Sequence, residues 1–160
     1  MLFRSASLHA AVDVGDIDVV ALLLDRGADV NLRNEGYTTP LILAASKGNV
    51  DVVRLLIERG AEAELGDKWD FTPLHYASGY GYLEVTRMLV DHGANVNARS
   101  KNHRTPLYLS ARDGHPQIAK LLLERGADVH AVNDEGTTPY QVSLAAGNPE
   151  VADLLREHGA

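Results

Sequence analysis

Seven histidines, 22 acidic residues and several serines supply the groups that metal binding, acid–base catalysis and nucleophilic catalysis require. Their spacing does not bring them together. His9 and His75 occupy one place in a recurring pattern, and His92 and His158 each precede a glycine. The remaining histidines stand at unrelated places: His103, His115 and His130. No two histidines have the helical spacing of paired ligands, so we expect no metal site.

The sequence motifs of nucleophilic and phosphate-binding enzymes are also missing. No serine stands in a Gly-x-Ser-x-Gly elbow. Gly79-Tyr80-Gly81 lacks the third glycine of a nucleotide-binding loop, and it is predicted to end a helix where such a loop would open one. The sequence therefore predicts no catalytic residue, no cofactor and no enzymatic activity.

Composition and charge narrow the possible environments and partners. The net charge of -7 argues against general attraction to nucleic acid or to an anionic membrane. No apolar run approaches the roughly 20 residues of a membrane span, and no secretory leader is visible. The absence of cysteine excludes disulfides. We expect a cytoplasmic protein, with a nuclear location or secretion as an effector left open.

The residues that must position any functional group repeat every 33 positions. Thr-Pro pairs recur at Thr39, Thr72, Thr105 and Thr138, and two series of glycines keep the same step. Three markers in one register indicate a tandem array of one structural unit. The sequence therefore predicts one domain over residues 1–160, with repeats at about 1–33, 34–66, 67–99, 100–132 and 133–160.

Each unit is predicted to hold two helices and an extended loop. Thr39 suits the N-cap of the first helix, Pro40 its first turn and Gly48 its left-handed end. A second helix is expected over residues 50–58, closed by Gly60. The polar loop that follows has a turn-forming residue at one equivalent place in four units: Asn34, Asp67, Ser100 and Asn133.

Residues 72–77, Thr-Pro-Leu-His-Tyr-Ala, and residues 91–97, Asp-His-Gly-Ala-Asn-Val-Asn, resemble the ankyrin repeat. Leu8-His9 and residues 122–129, Leu-Leu-Glu-Arg-Gly-Ala-Asp-Val, continue this resemblance along the chain. It implies an all-α solenoid of stacked helix-turn-helix units with projecting β-hairpin loops. The first copy departs from the pattern with Ala6-Ser7 in place of Thr-Pro, and other residues replace the motif histidine in three copies: Ile42, Tyr108 and Gln141.

The two ends of the array are predicted to be adapted to solvent. An apolar position of the second helix, Leu24 in the first unit, becomes Arg156 in the last, as suits an end repeat that faces water. At the other end, Leu2 and Phe3 are expected to fold over the open face. We therefore expect polar ends and a monomer.

The resemblance to ankyrin repeats also implies where a partner is held, namely by the loop tips and the exposed side of the first helices, on the concave face. Five of the nine aromatic residues lie between Trp69 and Tyr82. We expect four of them to be exposed and Tyr76 to belong to the core. The predicted partner-binding residues are Lys47, Lys68, Trp69, Phe71, Tyr80, Tyr82, Lys101, Arg104, Arg112 and Asp113.

Another interpretation of the same aromatics is that they only pack. In that case Trp69 and Phe71 lie against neighbouring loops and Tyr82 covers a helix junction. The resemblance implies one modification as well, since Asn31 and Asn97 stand in the loop setting that asparaginyl hydroxylases accept in ankyrin repeats.

The sequence thus favours a non-enzymatic module that binds another protein through its concave face, as a regulator or inhibitor. The alternative is an ankyrin scaffold or targeting segment of a larger protein or bacterial effector. Nucleic-acid binding has the aromatic and basic residues in its favour, and the acidic net charge against it.

Overall fold

A computed structural model describes the backbone of residues 2–160 and the side chains from residue 8 onward. The predicted cover formed by Leu2 and Phe3 lies outside the described side chains. Over the described backbone, helices account for all regular secondary structure and form five consecutive pairs. The helices are α1 (Leu2–Val14), α2 (Ile17–Asp25), α3 (Pro40–Ser46), α4 (Val50–Glu58), α5 (Pro73–Tyr80), α6 (Leu83–Asp91), α7 (Pro106–Asp113), α8 (Pro116–Glu124), α9 (Pro139–Ala145) and α10 (Pro149–Glu157).

The first helix of each complete unit begins and ends as its sequence predicts. The hydroxyl of Thr39 accepts a hydrogen bond from the Ile42 N–H at 3.2 Å, and Thr105 accepts one from the Tyr108 N–H at the same distance. A proline follows each threonine at the first helical position, where its missing N–H leaves no bond unmade. At the other end, Gly81 has a left-handed φ of 85°, which only glycine adopts without strain.

The two rows of helices pack unequally. Each first helix contacts the first helix of the next pair more extensively than the corresponding second helices contact each other. Small buried residues such as Ala45, Ser78 and Ala111 allow this close approach. Because one row is tighter, the stack curves toward the first helices, and the predicted all-α repeat solenoid is confirmed. We call the exposed side of the first helices, together with the loop tips, the inner surface.

The projecting loops are tighter and less regular than β-hairpins. Within residues 2–160 no segment forms a β-strand. Each of four loops is instead closed by two backbone hydrogen bonds, as from the Asp67 N–H to the Phe71 carbonyl at 3.1 Å and from the Asp70 N–H to the Asp67 carbonyl at 2.9 Å. Neighbouring loops are joined by a single backbone bond, as from the Lys101 N–H to the Trp69 carbonyl at 2.9 Å. The loops therefore reverse the direction of the chain, as a hairpin does, but the predicted β-strands are not formed.

A second device joins one repeat to the next. From α4 onward, the residue that precedes each second helix lays its side chain over the glycine that ends the first helix of the preceding pair. A Cβ atom added to Gly48 would lie 2.5 Å from the ring of Tyr82, and one added to Gly81 would lie 2.7 Å from the ring of His115. Both glycines have a positive φ as well. Any other residue at these places would have a strained backbone and would have to displace the ring that covers it.

The two ends of the stack differ from each other. Arg156, on the last helix, is exposed and bonds to Asp153 at 2.7 Å, as expected for a terminal repeat. On α2, however, Val19 and Leu22 are exposed, although Val52, the counterpart of Val19 one repeat later, is buried. Leu144 on α9 is 53% exposed as well, so Arg156 meets the expectation of polar ends, while Leu144 and the two apolar residues of α2 do not.

Candidate functional site

A row of aromatic side chains runs along α5 from the loop before it to the residue that precedes α6. The ring centroids of Phe71 and Tyr76 are 6.0 Å apart, those of Tyr76 and Tyr80 6.0 Å, and those of Tyr80 and Tyr82 6.3 Å. Phe71 also meets the ring of His75 edge-on at 5.3 Å. Tilted and edge-to-face contacts of this length stabilise aromatic pairs. The row is therefore a continuous surface and not a set of separate rings.

A cleft of about 160 Å³ opens between α5 and α7 beside this row. We call it the α5–α7 cleft; its walls are Phe71, His75, Tyr76, Gly79, Tyr80, Leu109, Arg112 and Asp113. A Cβ atom added to Gly79 would sit at an ordinary contact distance, 3.5 Å, from Leu109 and Asp113. The fold therefore tolerates alanine at position 79. The glycine leaves open space that packing alone does not require.

The exposure of the predicted aromatics is only partly as expected. Trp69 is 54% exposed and Tyr80 58% exposed, which agrees with the prediction. Phe71 and Tyr82 are half-buried, contrary to it, because Phe71 packs on its neighbours along the row and Tyr82 covers Gly48. Tyr76, expected in the core, is also half-buried and forms a wall of the cleft.

The loop that carries Trp69 is held in place by the carboxylate of Asp67. Its Oδ1 accepts hydrogen bonds from the backbone N–H groups of Trp69 at 2.8 Å and Phe71 at 3.0 Å. Its Oδ2 accepts one from the Tyr76 hydroxyl at 2.8 Å. Burial, and then this contact with Asp67, raise the pKa of Tyr76 above its ordinary value, so the hydroxyl keeps its proton. One buried carboxylate therefore ties the third loop to α5.

Three of the predicted basic residues project from the loops without a carboxylate partner. Among the side chains that the structure describes, no ion pair involves Lys68, Lys101 or Arg104. The Lys68 ammonium lies 5.6 Å from the centroid of the Trp69 ring. The Lys101 ammonium donates to the backbone carbonyl of Lys68 at 2.6 Å, so it is held against the neighbouring third loop.

Arg104 differs from the two lysines in its burial. Its guanidinium lies 5.8 Å from the centroid of the Tyr108 ring, and its Nε is buried with no hydrogen-bond partner. Its backbone carbonyl, by contrast, accepts a bond from His75 Nε2 at 2.9 Å. A hydrogen bond therefore fixes the backbone of Arg104, while no carboxylate among the described side chains pairs with its guanidinium.

The remaining predicted charges are paired. Arg112 donates from Nε and from Nη2 to the two carboxylate oxygens of Asp113, both at 2.8 Å, and this bond raises the pKa of Arg112. Lys47 forms an ion pair with Asp13 at 2.9 Å and does not line the α5–α7 cleft. The structure thus brings Arg112 and Asp113 to the cleft and leaves Lys47 apart from it.

The motif histidine is a structural group. His75 is fully buried, with Nδ1 accepting from the Thr72 N–H at 3.1 Å and Nε2 donating to the Arg104 carbonyl. Burial lowers the pKa of His75 to about 4, so the ring is neutral at physiological pH. His9 makes the equivalent contact with the Thr38 carbonyl at 2.9 Å. Within the described side chains, no three His, Asp or Glu residues are grouped as a metal site.

The two asparagines predicted as modification sites link neighbouring loops. The side-chain oxygen of Asn31 accepts from the Glu62 N–H at 2.9 Å, and that of Asn97 accepts from the Asp128 N–H at 2.7 Å. Glu64 stands at the equivalent place between them and accepts from the Asn95 N–H at 2.8 Å. Sequence reasoning missed this link, although the equal spacing of the three residues was a signal for it. Hydroxylation at Asn31 and Asn97 stays a prediction.

Sequence reasoning also missed part of the cleft. Tyr76 and Leu109 hold the same place in successive repeats and lie on its opposite walls. The available signal was the hydroxyl of Tyr76, at a place where other repeats have an aliphatic residue such as Leu43. A polar tip at such a position indicates a side chain that reaches a partner or solvent.

Two protein-family models match the sequence of this chain, and both describe repeats, in agreement with the stacked helix pairs of the structure. A family model described as ankyrin repeats in three copies matches residues 8–100, more than half of the chain. The chain belongs to the ankyrin repeat family. A second ankyrin repeat model, described as having many copies, matches residues 89–143.

Ankyrin repeats are generally protein–protein interaction modules, and the family is non-catalytic. No curated protein matches this ankyrin chain. No helix in the part of the chain that the structure describes is long and apolar enough to cross a lipid bilayer.

Proposed function

We propose that this ankyrin array is a non-enzymatic binding module that holds another protein on its inner surface and regulates or inhibits it. The centre of the contact consists of Trp69, Phe71 and Tyr80, and Lys68, Arg104 and Arg112 surround it. Tyr82, Lys101 and Asp113 extend the same surface. The alternative role, an ankyrin scaffold or targeting segment of a larger protein, uses the same surface without changing the activity of the partner.

The observation that carries this proposal is the exposure of two large aromatics beside an open cleft. Trp69 and Tyr80 are each more than half exposed, although the core does not need them there. Exposed tryptophan and tyrosine with arginine nearby form the residues that contribute most to binding in protein interfaces. The α5–α7 cleft, which Tyr80 lines, offers a concave place for a partner side chain.

The test compares the stability and affinity of Trp69→Ala on one preparation. The partner is isolated by affinity purification from the native host and identified by mass spectrometry, and its affinity is then measured by calorimetry. Because the indole is mostly in solvent, we expect an unchanged melting temperature and a loss of binding of about 2 kcal/mol or more.

Tyr37 provides the matched control. It is also 54% exposed at a loop, and Arg33 lies 5.7 Å from its ring as Lys68 lies beside Trp69. Tyr37→Ala removes the same kind of surface aromatic one repeat away from the cleft, so we expect no loss of affinity. If Trp69→Ala lowers the melting temperature and leaves binding intact, the tryptophan serves packing and the proposal is wrong.

A further inference from the structure

We propose that the partner presents an acidic segment carrying one large apolar side chain, and that this side chain occupies the α5–α7 cleft. The inference rests on the proposed function and specifies the chemistry of the partner. It follows from three features of the inner surface, namely its unneutralised cations, the environment of Arg104 and the size and lining of the cleft.

The cations indicate the charge of the segment. Lys68, Lys101 and Arg104 project from two adjacent loops with no carboxylate partner, and Asp70 is the exposed acid between them. The surface here is therefore positive on a chain whose net charge is -7. The second loop carries the exposed acid Glu35, which repels an acidic segment, and the exposed Asp134 of the fifth loop contacts His103 of the fourth. Such a pattern directs an acidic segment to the third and fourth loops.

Arg104 gives the strongest single reason for an anionic group. Its side chain donates no hydrogen bond to the part of the protein that the structure describes, and its Nε is buried under the Tyr108 ring contact. A partly desolvated guanidinium without an acceptor is unfavourable. A carboxylate from a partner accepts charge-assisted bonds from the two Nη groups of Arg104, which are accessible, while the buried Nε stays out of its reach. Arg112 adds a further donor, since its Nη1 is not used in the bond to Asp113.

The cleft indicates one apolar side chain. Its volume is about 160 Å³, and apolar cavities of about 150 Å³ accept a benzene-sized group. Phe71, Tyr76 and Tyr80 form one wall, and Leu109 faces them. The Arg112–Asp113 pair lies at the other side and supplies polar groups there. This lining suits a leucine or phenylalanine, with acidic neighbours reaching the loop cations.

The probe is a display library of random short peptides, selected on the intact protein. We expect the selected peptides to be rich in Asp and Glu around one leucine or aromatic residue. Their affinity should fall with added salt, because exposed charges contribute to binding. Selected peptides that are neutral or basic, or a library that yields no binder, would overturn the inference.

Variants then locate the binding of a selected peptide. Gly79→Ala places a methyl group in the cleft, and we expect affinity to fall about tenfold while stability rises, since alanine favours helix over glycine. Ser46→Ala, at the equivalent place on α3, is the matched control and should leave affinity unchanged. Unchanged affinity in Gly79→Ala contradicts an anchor in the cleft.

The charge variant is Lys68→Glu combined with Lys101→Glu, for which we expect a loss of about tenfold or more. Lys120 is an exposed lysine on α8, away from the inner surface. The control variant Lys120→Glu reverses its charge and should leave the affinity for the peptide unchanged. Peptides that depend on Trp69 but tolerate the Gly79 and lysine changes would refute this inference and leave the proposed function standing. Binding that is insensitive to Trp69 as well contradicts both.

Discussion

The third and fifth repeats build the same backbone and present different surfaces. In both, one loop residue accepts N–H bonds from two and four positions further on: Asp67 in the third repeat and Asn133 in the fifth. In both, the side chain three residues after the N-cap threonine accepts a hydrogen bond from the backbone N–H of that threonine. The acceptor is His75 Nδ1 in the third repeat, at 3.1 Å, and Gln141 Oε1 in the fifth, at 2.9 Å. Different side chains therefore satisfy one set of backbone groups.

The surface positions do not share this constraint. Where the third repeat has Trp69 at its loop tip, the fifth has Glu135, and where the third has Gly79 and Tyr80, the fifth has two alanines. The change at the loop tip leaves the backbone bonds of the loop unaltered, whereas the first helix is one residue shorter in the fifth repeat: the Gly81 N–H donates to the Ala77 carbonyl, and the Gly147 N–H donates to the Leu144 carbonyl. The comparison teaches that a family assignment carries over the backbone contacts, while the binding surface must be argued from individual side chains.

The largest expected effect tests whether the two repeats are equally supported. Leu89 and Leu155 hold the same place on their second helices, and both are fully buried. Truncation to alanine should cost about 2–5 kcal/mol in each case, with the greater loss for Leu89→Ala because the third repeat has neighbours on both sides. Urea unfolding of both variants measures the difference. Equal losses would show that the last repeat is held as firmly as the middle one.

A smaller effect concerns His75, which the fifth repeat replaces with Gln141. The folded-state pKa of His75 is about 4 against 6.5 in the unfolded chain, so stability is complete above pH 6.5. As the pH falls toward 4, the unfolded state binds a proton that the folded state does not, and about 3 kcal/mol is lost.

The variant His75→Gln should therefore be less stable than the wild type at pH 7, where it lacks the bond to the Arg104 carbonyl, and should lose less stability on acidification. Urea melts from pH 7 to pH 4 measure both slopes. His130→Gln removes an exposed histidine and serves as the control. Parallel curves for the wild type and His75→Gln would contradict the assignment of the acid sensitivity to this ring.

The smallest expected effect concerns the loop tips. Asp70 has a φ of 61° and its counterpart Gly136 a φ of 72°, so both residues are left-handed. Gly136→Ala should cost about 1 kcal/mol, because no contact opposes the methyl group and only the backbone strain acts. Asp70→Gly should stabilise by less than that, since aspartate tolerates this conformation better than most residues. Thermal melts that show no change in either variant would mean that the tips relax at no cost.

The sequence predicted the helices because their signals are local. Thr39, Pro40 and Gly48 act on groups within the same helix, so the order of residues is enough to place its ends. The turn-forming role of Asp67 is local for the same reason, and its hydrogen bonds to the following loop confirm it.

The burial of the aromatics could not be predicted in the same way, because it depends on residues in another repeat. Tyr82 is half-buried because its ring lies over Gly48 of the preceding repeat. The cleft exists because Tyr76 on α5 and Leu109 on α7 line it from two different repeats. The charge of the inner surface depends on side-chain direction as well. Arg112 turns to its neighbour Asp113, while Arg104 turns to Tyr108. The repeat periodicity predicts where such a residue lies in its repeat, but it does not predict which side chain the residue contacts.

The side chain that covers the glycine of the preceding repeat has a consequence for how such a chain changes in evolution. Each repeat carries one half of the contact at its first helix end and the other half at the start of its second helix, as Gly81 and Tyr82 do in the third repeat. Unequal recombination that adds or removes one whole unit of the gene therefore joins two surfaces that already fit. Loss or gain of a partial unit leaves a ring without its glycine. Array length can thus change in whole units while each new junction again places a side chain over a glycine.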